Sequence, residues 1–197
     1  IAVTDYEARQ VLAVSISTGQ VRPVSDPEQV WAGMPAVAQV PRQRDRVAFA
    51  GQPPGGTYGT DDNIIWIVEG DGPAWPLDGK HGRTPAWSPA GDRLAFSSIR
   101  RRVAPVSLMH SRTLPGERSS IFVAEGLASL SPSPSPSPSP SLSPSPQRSR
   151  SISPSVRAIS PMDYKAVHPK WSPNGRDMAV MVEGLQGQGR GIGILST

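Results

Sequence analysis

"PAWSPAGDRLAFSS", Pro85–Ser98, returns as "PKWSPNGRDMAVMV", Pro169–Val182. Each copy holds proline, tryptophan, a serine-proline step, a glycine and then an apolar run. In Ser88-Pro89-Ala90-Gly91 the serine stands at turn position i, proline at i+1 and glycine at i+3. Proline presets φ for a type I turn, and glycine accepts the left-handed position that closes a hairpin through a bulge. Ser172-Pro173-Asn174-Gly175 is the same device. A short strand precedes each turn ("PAW", "PKW") and an apolar one follows ("RLAFSS", "DMAVMV"). Each phrase therefore predicts a β-hairpin, strand a to strand b.

Weaker copies lie elsewhere. "RVAFAG" (Arg46–Gly51) matches "RLAFSS", with Phe49 under Phe96, and "IAVTD" at the amino terminus fits another strand b. "LAVSISTGQVRPVS" (Leu12–Ser25) lies over "IWIVEGDGPAWPLD" (Ile65–Asp78), with Gly19 under Gly72. It returns as "IFVAEG" (Ile121–Gly126), whose second half, "VRAIS", waits until Val156. This phrase predicts a second hairpin, strand c to strand d. Phe49 and Phe96 are 47 residues apart, whereas Trp87 and Trp171 are 84 apart. The longer interval holds an excess of 26 residues between strands c and d and 9 between b and c; without them it is 49. Four strands every ~40–50 residues is the signature of β-propeller blades.

The phrase P-x-W-S-P-x-G-x-x-x-A-[FV] resembles the repeat of the TolB-like, WD40-like propellers. The same repeat occurs in the propeller domains of tricorn-type and prolyl-oligopeptidase-type peptidases. The chain departs from that pattern in having Ala90 and Asn174 where an aspartate usually follows the proline. It also has "VAQVPRQRDR" where the second blade should carry its turn. The expected fold is all-β: a propeller segment of fourteen strands, about three and a half four-stranded blades, with a disordered Ser-Pro insertion. The strands should run b-c-d, then a-b-c-d over about 35–79, a-b-c-d over about 84–160, and a-b-c. One domain is expected, with blades over 1–126 and 156–197 and the low-complexity insertion over 127–155. Propellers close with ~4–8 blades, so further blades from a longer chain or from a partner are expected.

The 197 residues suffice for one domain with a real core. Only 37% are hydrophobic, diluted by 23 prolines and 19 glycines, a composition of many turns and a low-complexity insert. Lys and Arg total 20 against 16 Asp and Glu, too small an excess to argue for nucleic acid. The absence of cysteine excludes disulfides and thiolate metal sites and suits a periplasmic or secreted protein as well as a cytosolic one. The longest strongly apolar run, Ile64–Val68, is far too short to span a membrane. The chain does not begin with Met and shows no signal-peptide pattern, so it is read as processed or as a piece of a longer chain.

Residues 131–146 read "SPSPSPSPSPSLSPSP", followed by "QRSRSISPS". Such a segment cannot pack a core, and a disordered chain with polyproline II character is expected. It falls between strands c and d of the third blade, where it is a tolerated surface insertion, a solvated spacer, or a ligand for a proline-binding domain or proline-directed kinase. It should leave the blade on the face opposite the arginine-rich b–c loop.

Motifs of chemistry are scarce. His81, His110 and His168 have no metal-ligand spacing and read as exposed loop histidines. The chain contains no G-x-S-x-G elbow. "GQGRGIG" (Gly187–Gly193) runs from loop into strand, whereas a dinucleotide fingerprint runs from strand through loop into helix. Asp61 and Asp62 sit in a glycine-rich loop and read as solvated. Trp87 and Trp171 hold one repeat position, with Val37 equivalent in the second blade, and read as packing residues. No enzyme activity, cofactor or metal is expected.

The one candidate site is a cationic face. The b–c connection Ile99–Ser119 carries Arg100, Arg101, Arg102, Arg112 and Arg118, and the d–a connections add Lys80, His81, Arg83 and Lys165. Alternation of strand direction puts these connections on one face, which suits an acidic protein or an anionic ligand; a solvated charged rim is the plainer reading. The resemblance implies a non-catalytic scaffold for protein–protein interaction, periplasmic or otherwise extracytoplasmic. The alternative is the gating propeller of a serine peptidase whose hydrolase domain lies outside this chain. A carbohydrate- or anion-binding propeller is a third reading.

Overall fold

A computed structural model describes residues 1–28, 30–38, 45–52, 63–100, 118–127, 154–160, 164–184 and 189–197. Among them are fourteen strands in four antiparallel sheets. Sheet 1 holds β1 (Ala2–Asp5), β2 (Gln10–Val14) and β3 (Val21–Pro23). Sheet 2 holds β4 (Trp31–Ala38), β5 (Arg46–Gln52), β6 (Ile64–Glu69) and β7 (Trp75–His81). Sheet 3 holds β8 (Arg83–Trp87), β9 (Leu94–Arg100), β10 (Arg118–Glu125) and β11 (Ser155–Ala158). Sheet 4 holds β12 (Tyr164–Trp171), β13 (Asp177–Gly184) and β14 (Arg190–Ser196). Every sheet is a meander in chain order.

The serine-proline turns form as the residues dictate. Gly91 and Gly175 both have φ 68°, and each donates its N–H to the carbonyl of the serine three residues earlier, at 2.9 Å. The serine hydroxyl then accepts the amide of the residue that enters strand b: Arg93 at 3.1 Å and Asp177 at 3.0 Å. Strand b follows in register, and Val37, Trp87 and Trp171 stand opposite Val47, Leu94 and Met178, as the repeat predicts. The "VAQVPRQRDR" connection lies largely outside the described residues, but the β4–β5 pair that it joins is formed.

Strand a is longer than the "PAW" and "PKW" stubs, and it is irregular. Its register shifts between Gly33 and Ala36, between Arg83 and Ala86, and between Val167 and Lys170. At each shift a non-glycine residue before proline has positive φ: Met34 (53°), Thr84 (48°) and His168 (53°). Proline cannot donate to a ladder, and a bulge is where a sheet tolerates it.

The c–d phrase needs one correction. The sequence alignment sets Leu12 over Ile65, but Val11 takes that place. The Val11 amide donates to Ser25 Oγ at 2.8 Å just as the Ile121 amide donates to Ser160 Oγ, and Val11 is fully buried. A slip of one residue in a strand turns every side chain to the other face, so Leu12 points away from sheet 2. Farther on, Glu125 pairs with Ser155 across β10 and β11. The Ser-Pro tract between them, residues 128–153, lies outside the described residues. Its anchors and those of the arginine-rich connection stand at opposite ends of β10.

The core is three layers, one between each pair of consecutive sheets. Val11 packs with Val30, Val47, Phe49 and Val68 between sheets 1 and 2. Ala48, Ile65, Ile67 and Leu77 meet Trp87, Leu94 and Phe96 between sheets 2 and 3. Ala95, Ile121 and Val123 meet Ala166, Met178 and Val180 between sheets 3 and 4. A charged latch repeats across two of the layers. Arg46, buried beside Glu69, donates to the Gly91 carbonyl at 3.3 Å, and Arg93 donates to the Gly175 carbonyl at 2.6 Å. Each latch ties the start of strand b to the a–b turn of the next sheet.

Candidate functional site

Strand direction alternates, so the b–c and d–a connections leave from one end of every sheet. Arg100 closes β9 and stands opposite Arg118, which opens β10. Lys80 and His81 close β7, and Arg83 opens β8 two residues later. Lys165 enters β12 at the same end of sheet 4, exposed and 3.4 Å from Glu183. The backbone thus brings Lys80, His81, Arg83, Arg100, Arg118 and Lys165 to one end of the stacked sheets. Arg101, Arg102 and Arg112 lie outside the described residues. Lys165 is engaged by the Glu183 carboxylate within its own sheet.

Sequence reasoning missed a cavity at this end. It measures about 120 Å³ and is lined by Tyr6, Trp31, Met34, Gln52, Asn63 and Arg83, so one wall belongs to the cationic cluster. Tyr6, in the β1–β2 turn, is exposed. The Arg9 guanidinium lies over the Trp31 ring, 4.0 Å from its centroid. Gln52 closes strand b of sheet 2 with 3% of its surface exposed. Among the described residues its Oε1 has no hydrogen-bond partner. A buried acceptor without a donor costs roughly 1–3 kcal/mol and is satisfied when a donor enters. No periodicity marks these residues, because they come from five different strands and connections. The only clue was Trp31, an aromatic at the entry of a strand a. A second cavity, about 440 Å³, opens at the opposite end between sheets 1 and 2, against Gln20, Arg22 and Asp45.

Trp87 and Trp171 are packing residues. Trp87 lies in the core with 8% exposed, and Trp171 is half-buried, donating from Nε1 to the Ala86 carbonyl at 3.0 Å with Arg93 over its ring. His81 and His168 are both exposed. Among the described residues no three His, Asp or Glu side chains converge, and no helix is long and apolar enough to cross a membrane.

No protein-family model matches the chain, and no curated protein does. Solved structures do. One is a prolyl endopeptidase, from a study of two such enzymes and the role of inter-domain dynamics in their catalysis and specificity. It is 17% identical, with a TM-score of 0.55 over 95% of this chain and 24% of the other. Another is TolB from Acinetobacter baumannii, 13% identical, with a TM-score of 0.49 over 95% of this chain and 37% of the other. The chain spans about a quarter and rather more than a third of their lengths. The fold it shares with the endopeptidase is the β-propeller.

Proposed function

We propose that the chain is a non-catalytic propeller scaffold that binds an acidic protein surface through the end of the sheets bearing the b–c and d–a connections. The observation that carries this reading is convergence. Cationic positions from sheets 2 and 3 gather at one end, beside a cavity with an aromatic wall and an unsatisfied amide oxygen. Arg100 and Arg118, partners in the β9–β10 ladder, add two more cationic positions at that end. Such a face steers an acidic partner in and holds an aromatic or apolar anchor from it. An extracytoplasmic location belongs to this reading, on the strength of the repeat's resemblance.

Binding of a poly-glutamate peptide, followed by tryptophan fluorescence, tests it. Binding at low salt should weaken steeply as salt rises, because exposed charges are screened over ~10 Å at 0.1 M. Replacing Lys80 and Arg83 together by Glu should weaken binding by roughly tenfold, ~1.4 kcal/mol. Arg176→Glu, in the turn at the opposite end, should change nothing. No binding at low salt, or an equal effect of Arg176→Glu, overturns the proposal.

The gating propeller of a serine peptidase is the second reading, favoured by the fold shared with the endopeptidase. An α/β pattern with a G-x-S-x-G elbow in the flanking coding sequence would support it over the scaffold.

A further inference from the structure

One rung of the β4–β5 ladder is smaller than its copies. Gly33 stands opposite Ala50, where sheet 3 has Arg83 opposite Ser97 and sheet 4 has Val167 opposite Met181. Two residues along, Trp31 stands opposite Gln52. Residues two apart on a strand share a face, so the indole, the carboxamide and the gap beside the small pair come together. All four line the cavity of about 120 Å³, with Met34, Asn63 and Arg83 around them. Apart from Tyr6, its described walls come from sheets 2 and 3, and each of these sheets has a neighbour packed on both faces.

Size, hydrogen bonding and charge define the occupant. An apolar cavity of ~150 Å³ holds one benzene ring. At about 120 Å³ this one takes a single ring, and the two fused rings of an indole need more room. Gln52 is 3% exposed, and its Oε1 is enclosed without a hydrogen-bond partner among the described residues. An amide oxygen only accepts, so the occupant must donate. The last torsion of a glutamine is broad, and a small turn about it carries the oxygen to a donor in the cavity. Arg83 in the wall disfavours a second cation, which sets aside lysine as that donor. A serine or threonine hydroxyl donates but leaves most of the space empty. A phenylalanine fills the space but leaves Gln52 unpaired. A phenol does both.

We propose that this cavity is the socket for a tyrosine side chain of the acidic partner, its phenol O–H donating to Gln52 Oε1 and its ring packing against Trp31. The assignment rests on the scaffold reading above and adds the side chain by which the partner is recognised.

Two uncharged probes test the socket apart from the cationic face. The full chain is titrated with 4-fluorophenol and with fluorobenzene, followed by fluorine NMR. 4-Fluorophenol should bind roughly tenfold more tightly, the effect of one hydrogen bond to a buried acceptor. Gln52→Met keeps the side-chain length and removes the acceptor, and should lower 4-fluorophenol to the affinity of fluorobenzene. Gly33→Leu fills the gap and should abolish binding of both with an unchanged near-ultraviolet spectrum. A peptide of four glutamates around one tyrosine should displace 4-fluorophenol and bind roughly tenfold more tightly than its phenylalanine counterpart. Equal affinity for the two fluorinated probes, or binding of neither at millimolar concentration, overturns the socket, and the space then holds water alone. Poly-glutamate binding without a preference for the tyrosine peptide sinks the tyrosine and keeps the scaffold. Binding of 4-fluorophenol without binding of poly-glutamate sinks the acidic partner and keeps the socket.

Discussion

Trp87 and Trp171 occupy one place in the repeat, yet their indole nitrogens fare differently. Nε1 of Trp171 donates to Ala86, whereas Nε1 of Trp87 is buried with no partner among the described residues. Trp87→Ala should therefore act through packing alone and cost about 3–5 kcal/mol, the range for a buried aromatic. Trp171→Phe keeps a ring under Arg93 but loses a donor, and should cost ~1 kcal/mol, one hydrogen bond. Urea midpoints at constant slope measure both; a loss under about 1 kcal/mol for Trp87→Ala removes it from the core. The role of these tryptophans was legible from the sequence because an equivalent position carries Val37, which packs and does little else. Gly91 and Gly175 were legible too, since Ser-Pro-x-Gly encodes a turn with a left-handed last residue. Met34, Thr84 and His168 were not. A residue before proline normally avoids such a conformation, and only the packed sheet imposes it.

The elements that could be read from sequence are those built by local turns. A hairpin with a two- to four-residue turn carries its own instructions, so the a–b pairs of sheets 3 and 4 stood out. The strand order also survived the long interruption of β10 and β11, because "IFVAEG" and "VRAIS" keep the apolar pattern of their copies. Register did not survive everywhere: the slip of Leu12 against Val11 arose because sheet 1 has a longer c–d turn than sheet 2, and alternation alone does not count turn residues. The pairing of Glu125 with Ser155 leads to an expectation about the segment between them. Loop length enters stability only through a logarithm, roughly 0.6 kcal/mol per doubling. Deleting residues 128–153 and joining Leu127 to Pro154 through a two-residue turn should leave the thermal midpoint within a few degrees of the parent. Loss of the cooperative transition would show that the segment contributes to the fold. The cavity beside Trp31 had no such local code, being assembled from residues as far apart in the chain as Tyr6 and Arg83.

At the scale of the whole molecule, the core among the described residues joins each sheet to its neighbours in the chain, through one apolar layer and, in two cases, one arginine latch. Among the described residues, sheets 2 and 3 are covered on both faces, while sheets 1 and 4 each carry one face with no sheet packed on it. Propeller architecture was legible because its period is a property of the chain. The bare faces were not, because the residues that form them look like core and are core in every other copy. The repeated layering also gives the molecule an order in which it comes apart. Stacked repeats behave as a row of units held by nearest-neighbour terms, so opening starts where a unit has one neighbour and moves inward. Amide exchange should be slowest in β5, β6, β9 and β10 and faster in β1 to β3 and β12 to β14.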